Sequence, residues 1–140
     1  MNTTADFHHR AITELDHVRI LNLLRRQASA GTSLQADDLA ELIDAAEQFA
    51  PQAIGADVVT MHTRLRASDA AGAARSLTLC YPQEADAAQG LISVLSPLGT
   101  ALLGLRVGET AHWQAQGGTP GALKIEAIEY QPEANGDYTD

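Results

Sequence analysis

Apolar residues recur every three or four positions between residues 12 and 50, and every second position over much of residues 57–130. The first spacing is that of an amphipathic helix; the second is that of a half-buried strand. Leu15, Val18, Leu21 and Leu24 make one stripe, widened by Ile20 and Leu23. Thr13 stands where it can cap this first helix, with Asp16 three residues on in a capping-box position. The run from Ala30 to Ser33 contains Gly31 and reads as a turn. A second helix starts near Ser33 or Leu34 and places Leu39, Leu42, Ile43, Ala46, Phe49 and Ala50 on one face, until Pro51 ends it. Two helices joined by a short loop are antiparallel neighbours. With ~14 to ~17 residues each, they form a hairpin only about 20–25 Å long.

Beyond Pro51 the period changes. From Asp57 to Ala67, Val59, Met61, Leu65 and Ala67 face one way, and Thr60, His62, Arg64 and Arg66 the other. After a turn at residues 69–74, Leu77, Leu79 and Tyr81 alternate with Ser76, Thr78 and Cys80, and Pro82 stops the strand. Leu91 to Leu95 suits a short buried strand. Residues 96–105 read as a short helix, with Ser96 as N-cap and Pro97 at its first position. Glu109 to Ala115 and Leu123 to Tyr130 complete the strands, joined by a hairpin loop over residues 116–121. The order predicts an α+β fold: a helical hairpin over residues 1–52, then, over residues 53–140, a mainly antiparallel sheet with one helix packed on it. Residues 131–140 read as a polar tail carrying a compact motif.

Composition narrows the function. At 140 residues the chain is long enough for one core without staples, and a single cysteine, Cys80, excludes an internal disulfide. No apolar run approaches the ~20 residues of a membrane span, and the first ten residues show no secretory signal, so a cytoplasmic protein is expected. Nine basic against 18 acidic residues give a net charge of −9, which argues against strong direct binding to nucleic acid. There is no phosphate-binding glycine loop, no nucleophile elbow, and no His pair at metal-binding spacing. Cys80 on an alternating strand suits core packing, and Trp113 suits a partly buried packing role. Neither a catalytic centre nor a metal or cofactor site is expected.

The second helix concentrates acid: Asp37, Asp38, Glu41, Asp44 and Glu47, with no basic residue between Leu34 and Pro51. Two readings stand. Acids near a helix N-terminus favour its dipole by ~0.3–1 kcal/mol each, and the rest form a solvated face. Alternatively, Asp37 and Asp38, close to the hairpin tip, meet a cation or a basic surface; paired carboxylates hold Mg²⁺ when a second site supplies further ligands.

Three segments carry a resemblance: Asp57-Val-Val-Thr-Met-His-Thr-Arg, Ser96-Pro-Leu-Gly-Thr-Ala-Leu-Leu-Gly-Leu-Arg-Val-Gly and Tyr130-Gln-Pro-Glu-Ala-Asn-Gly-Asp-Tyr. Together they resemble the Rnk family, the regulators of nucleoside diphosphate kinase, within the wider GreA/GreB transcription elongation factor group. The resemblance implies an N-terminal coiled coil, a C-terminal FKBP-like domain and binding to bacterial RNA polymerase, with the C-terminal domain docking at the secondary channel and the coiled coil entering it. In Gre factors, acids at the coiled-coil tip help hold a catalytic Mg²⁺ and stimulate transcript cleavage by the polymerase. The present chain departs from that pattern. Its hairpin is shorter, and residues 27–34 hold no acid, with Asp37 and Asp38 just beyond. The expectation is therefore a non-enzymatic regulator of elongation that docks without efficient cleavage stimulation. Asp37, Asp38 and Glu41 are the tip candidates, and Ser96, Pro97, Leu98 and Gly99 the polymerase-contact candidates. The alternative is a regulator of nucleoside diphosphate kinase, acting by contact or through its expression. Prolyl isomerase activity is not implied, because such a pocket is lined with aromatics and this chain has few. Tyr130, Glu133 and Asp137 are read as fastening the tail to the sheet.

Overall fold

The computed structural model describes residues 10–30, 34–114 and 120–136. Strand β1 (Ala11–Thr13) leads directly into helix α1 (Glu14–Ala30), and helix α2 (Leu34–Ala45) leads into strand β2 (Glu47–Phe49). The second helix thus stops short of Pro51, where its apolar spacing would carry it. The reason is a competing partner: β2 pairs in parallel with β1, Ala11 opposite Glu47 and Thr13 opposite Phe49. The pair closes the base of the two helices.

Five more strands follow: β3 (Arg64–Ser68), β4 (Ala74–Cys80), β5 (Leu91–Ser93), β6 (Thr110–Gln114) and β7 (Pro120–Tyr130), with helix α3 (Pro97–Leu102) between β5 and β6. They form one sheet in the order β5-β4-β3-β7-β6. All pairs are antiparallel except β4 with β5. Trp113 is half-buried and its ring lies over Gly121, where an added Cβ would stand 2.4 Å from the indole. Cys80 is buried, as its strand position predicts, and burial pushes its thiol pKa up. Most of the expected loop at residues 116–121 and the candidate Asp137 lie outside the described residues.

The strand expected from Asp57 begins only at Arg64. Val58 and Val59 are claimed by another segment: Val58 bridges Arg106, and the Val59 N–H donates to the Leu105 carbonyl at 2.8 Å. Residues 60–63 then form a turn in which His62 takes a left-handed φ of 66°.

One hydrophobic cluster joins helices and sheet. Ile20, Leu23, Leu39, Leu42 and Ile43 belong to the same buried group as Leu65, Leu79, Leu102, Leu103 and Ile125. The buried stripe of α1 is rotated from the expected one. Asp16, Ile20 and Leu23 face inward, Leu21 and Leu24 are half-buried, and Val18 is 54% exposed.

Candidate functional site

Asp37 and Asp38 belong to the first turns of α2 by their backbone, and their side chains lie outside the described residues. Glu41, one turn on, is exposed. The helix carrying them packs against α3, so the acidic segment and the Ser96–Gly99 turn stand on adjoining elements.

Helix α3 shows why its signature has that composition. Ser96 is the N-cap: its Oγ accepts the Gly99 N–H at 3.0 Å and donates to the Ser93 carbonyl at 2.7 Å. Pro97 fills the first helical position, where no N–H is needed. Gly99 is buried, and a Cβ there would lie 1.9 Å from the Ser93 carbonyl oxygen. The Thr100 hydroxyl donates to the Val94 carbonyl at 2.7 Å. Ser96, Pro97 and Leu98 retain partial exposure, so they present the turn while Gly99 and Thr100 seat it.

A second polar cluster joins the base of α1 to the sheet. Thr13 caps α1 by accepting the Asp16 N–H at 3.0 Å. The Asp16 carboxylate then reaches across to accept the Met61 N–H at 3.1 Å, although the residue is only 1% exposed. Next to it the Thr60 and Thr63 hydroxyls meet at 2.8 Å, and Thr60 donates to Glu133 at 2.7 Å. Glu133 thereby holds the C-terminal segment, and Gln131 assists by donating to the Gly55 and Val58 carbonyls at 2.8 and 2.7 Å. Burial pushes the Asp16 pKa up to about 7; the nearby Glu133 charge adds to this, while the Met61 N–H, Thr13 and Arg19 oppose it.

His62, beside this cluster, lies edge-on to Tyr81 with ring centroids 5.5 Å apart. Its Nε2 is 2.8 Å from Glu84 Oε1, which also accepts the Tyr81 N–H at 3.2 Å. Burial raises the Glu84 carboxyl, but these two hydrogen bonds and the charge of His62 outweigh it and hold the pKa below its usual value. Burial, and then the charge of Asp16, push the Tyr81 hydroxyl well above its usual value. Among the described residues no group of three or more His, Cys, Asp and Glu side chains could hold a metal ion, and no helix is long and apolar enough to cross a membrane.

The fold and the Ser96 turn define a class. Residues 54–130 match the family described as transcription elongation factor, GreA/GreB, C-term, and the chain belongs to that family. Within it the likeness is to the regulators of nucleoside diphosphate kinase. The regulator from Escherichia coli K12 is 42% identical over 128 residues, spanning 91% of this chain and 93% of that protein. A GreA elongation factor from Christiangramia forsetii is 29% identical over 105 residues, 74% of this chain and 65% of its own length. The solved structure of a GreA/GreB elongation factor from Nitrosomonas europaea aligns over 86% of this chain and 99% of its own, with a TM-score of 0.73 and 33% identity.

The Asp16 cluster and the His62–Tyr81–Glu84 group are polar arrangements that periodicity did not single out. The signal for Asp16 was present: it precedes Ile20 by four residues and Leu23 by seven, on the stripe that is buried. For His62 there was no local signal, since a left-handed φ at a histidine is set by the chain around it.

Proposed function

We infer that this protein binds bacterial RNA polymerase as a short-armed Gre-like regulator, docking at the secondary channel and occupying it without efficient stimulation of transcript cleavage. The single observation behind this reading is the length and anchoring of the helical pair in a member of the GreA/GreB family. Helix α1 has 17 residues and α2 has 12. At 1.5 Å per residue they are ~25 and ~18 Å long. Much of that length is tied down, because Ile20, Leu23, Leu39, Leu42 and Ile43 are all buried in the core shared with the sheet. A short arm with its carboxylate pair set back from the tip reaches a distant active centre poorly.

The functional division falls at residues 52/53, with an arm-bearing segment before it and a docking segment after it; the family match starts at residue 54. Ser96, Pro97 and Leu98 are the proposed contact, held in shape by the buried Gly99. Asp37, Asp38 and Glu41 are the groups an arm of this length brings nearest to the polymerase. The site of action is the cytoplasm, and the protein itself is not a catalyst. Immobilised protein is expected to retain core polymerase at low salt and to lose it when Pro97→Glu places a charge on the turn. Recovery of no polymerase at low salt overturns the reading.

A second reading has its own support in the likeness to the Escherichia coli regulator of nucleoside diphosphate kinase. In it the protein acts on that kinase, directly or through its expression. Kinase activity unchanged by the purified protein removes direct control and leaves control through expression.

A further inference from the structure

We propose that the cleft between α1 and the turn at residues 81–84 is a binding site for a diphosphate group. The cleft is a shallow groove, open to solvent, of about 420 Å³. One wall is α1, which contributes Arg19, Asn22 and Arg26; the other contributes His62, Tyr81 and Gln83, with Glu84 at its edge. The chain has twice as many acidic as basic residues, yet Arg19 and Arg26 both line this cleft, where Arg19 also interacts with Asp16 and the Tyr81 hydroxyl.

Three features point to phosphate. Arg19, Asn22 and Arg26 follow an i, i+3, i+7 spacing and so lie along one face of the helix. The two guanidinium stems start ~10 Å apart along the axis. A two-phosphate chain engages both, with the Asn22 amide between them, and guanidinium is the side chain best suited to phosphate oxygens. The carboxylate at the edge has partners of its own: Glu84 Oε1 accepts from the Tyr81 N–H and lies 2.8 Å from His62 Nε2, and these two contacts hold it against the wall. Finally, His62 holds a left-handed φ of 66°, a conformation that costs a non-glycine residue energy and clusters at ligand sites. That conformation sets the imidazole beside Tyr81 in the cleft wall.

The site is separate from the Ser96 turn, and the inference does not depend on polymerase docking. Isothermal titration and amide chemical-shift mapping of the full chain, with inorganic pyrophosphate, orthophosphate and a nucleoside diphosphate as probes, test it. Pyrophosphate is expected to saturate one site, at least tenfold tighter than orthophosphate, and to perturb amides in residues 19–26 and 81–84. Arg26→Gln, at an exposed helical position, is expected to weaken pyrophosphate at least tenfold with an unchanged circular dichroism spectrum. Arg66→Gln, an exposed arginine on β3, is expected to leave binding intact. A nucleoside diphosphate that binds tighter than pyrophosphate identifies a nucleotide as the source of the group; equal affinity identifies the inorganic ion. No saturable binding of pyrophosphate, perturbations elsewhere on the chain, or equal weakening by Arg66→Gln overturns the proposal. Binding of the nucleoside diphosphate with pyrophosphate inert overturns it too, because recognition would not then run through phosphate.

Discussion

Asp16 is a carboxyl group placed in the core at the joint between α1 and the turn before β3. Its folded pKa, about 7, exceeds the 3.8 of an ordinary aspartate. Between those values the folded protein holds a proton that the unfolded chain has released. Stability therefore falls as pH rises from about 4 to about 7, by at most ~1.4 kcal/mol per pH unit for this one group. Urea unfolding across that window is expected to show the decline in the wild type and a flatter profile in Asp16→Asn; an identical decline in both contradicts the assignment. Gly99 offers a second residue-level test. A Cβ there meets the Ser93 carbonyl oxygen at 1.9 Å, so Gly99→Ala is expected to destabilise the fold by at least the ~1–3 kcal/mol typical of overpacking. Removing the cap with Ser96→Ala is expected to cost ~1 kcal/mol; both values are read from denaturant midpoints. The Ser96 cap and Pro97 were legible because capping chemistry is local. The buried role of Asp16 was obscured because Leu15, Val18, Leu21 and Leu24 form a regular stripe of their own, and only contact with the sheet decides which stripe is buried.

Helices α1 and α2 do not build a core alone. Leu42 is fully buried in a cluster that also contains Leu65 and Leu102. Leu42→Ala is accordingly expected to cost ~2–5 kcal/mol, and to lower the helical and sheet transitions together. Circular dichroism at the helical band and fluorescence of Trp113, the chain's one tryptophan and part of β6, report on the two regions. Coincident melting of both signals is predicted; separate transitions contradict a shared core. The start of both helices, four of the five sheet strands and the α3 start follow from local period and caps. The lost helical turn before Pro51 and the short β3 do not. Each is decided by a distant segment, Ala11–Thr13 for the first and residues 104–106 for the second, and period carries no information about such partners.

The whole molecule combines a Gre-like sheet domain with a helical pair that is largely absorbed into its core. The three segments that resemble the Rnk family map onto the turn before β3, the α3 cap and the C-terminal fastening through Gln131 and Glu133. They were recognisable because each is a compact set of hydrogen bonds made by a few fixed residue types. The side chains of Asp37 and Asp38 lie outside the described residues, and their role has to be read from function. Transcript cleavage in stalled elongation complexes, measured with this protein alone and in competition with a Gre factor, decides whether the short arm occupies the channel without driving cleavage. Little cleavage by the protein alone is expected, with progressive loss of Gre-stimulated cleavage as it is added. Strong cleavage by the protein alone, abolished in the Asp37→Ala/Asp38→Ala double variant, would show an arm that reaches the active centre and would contradict occupation without cleavage.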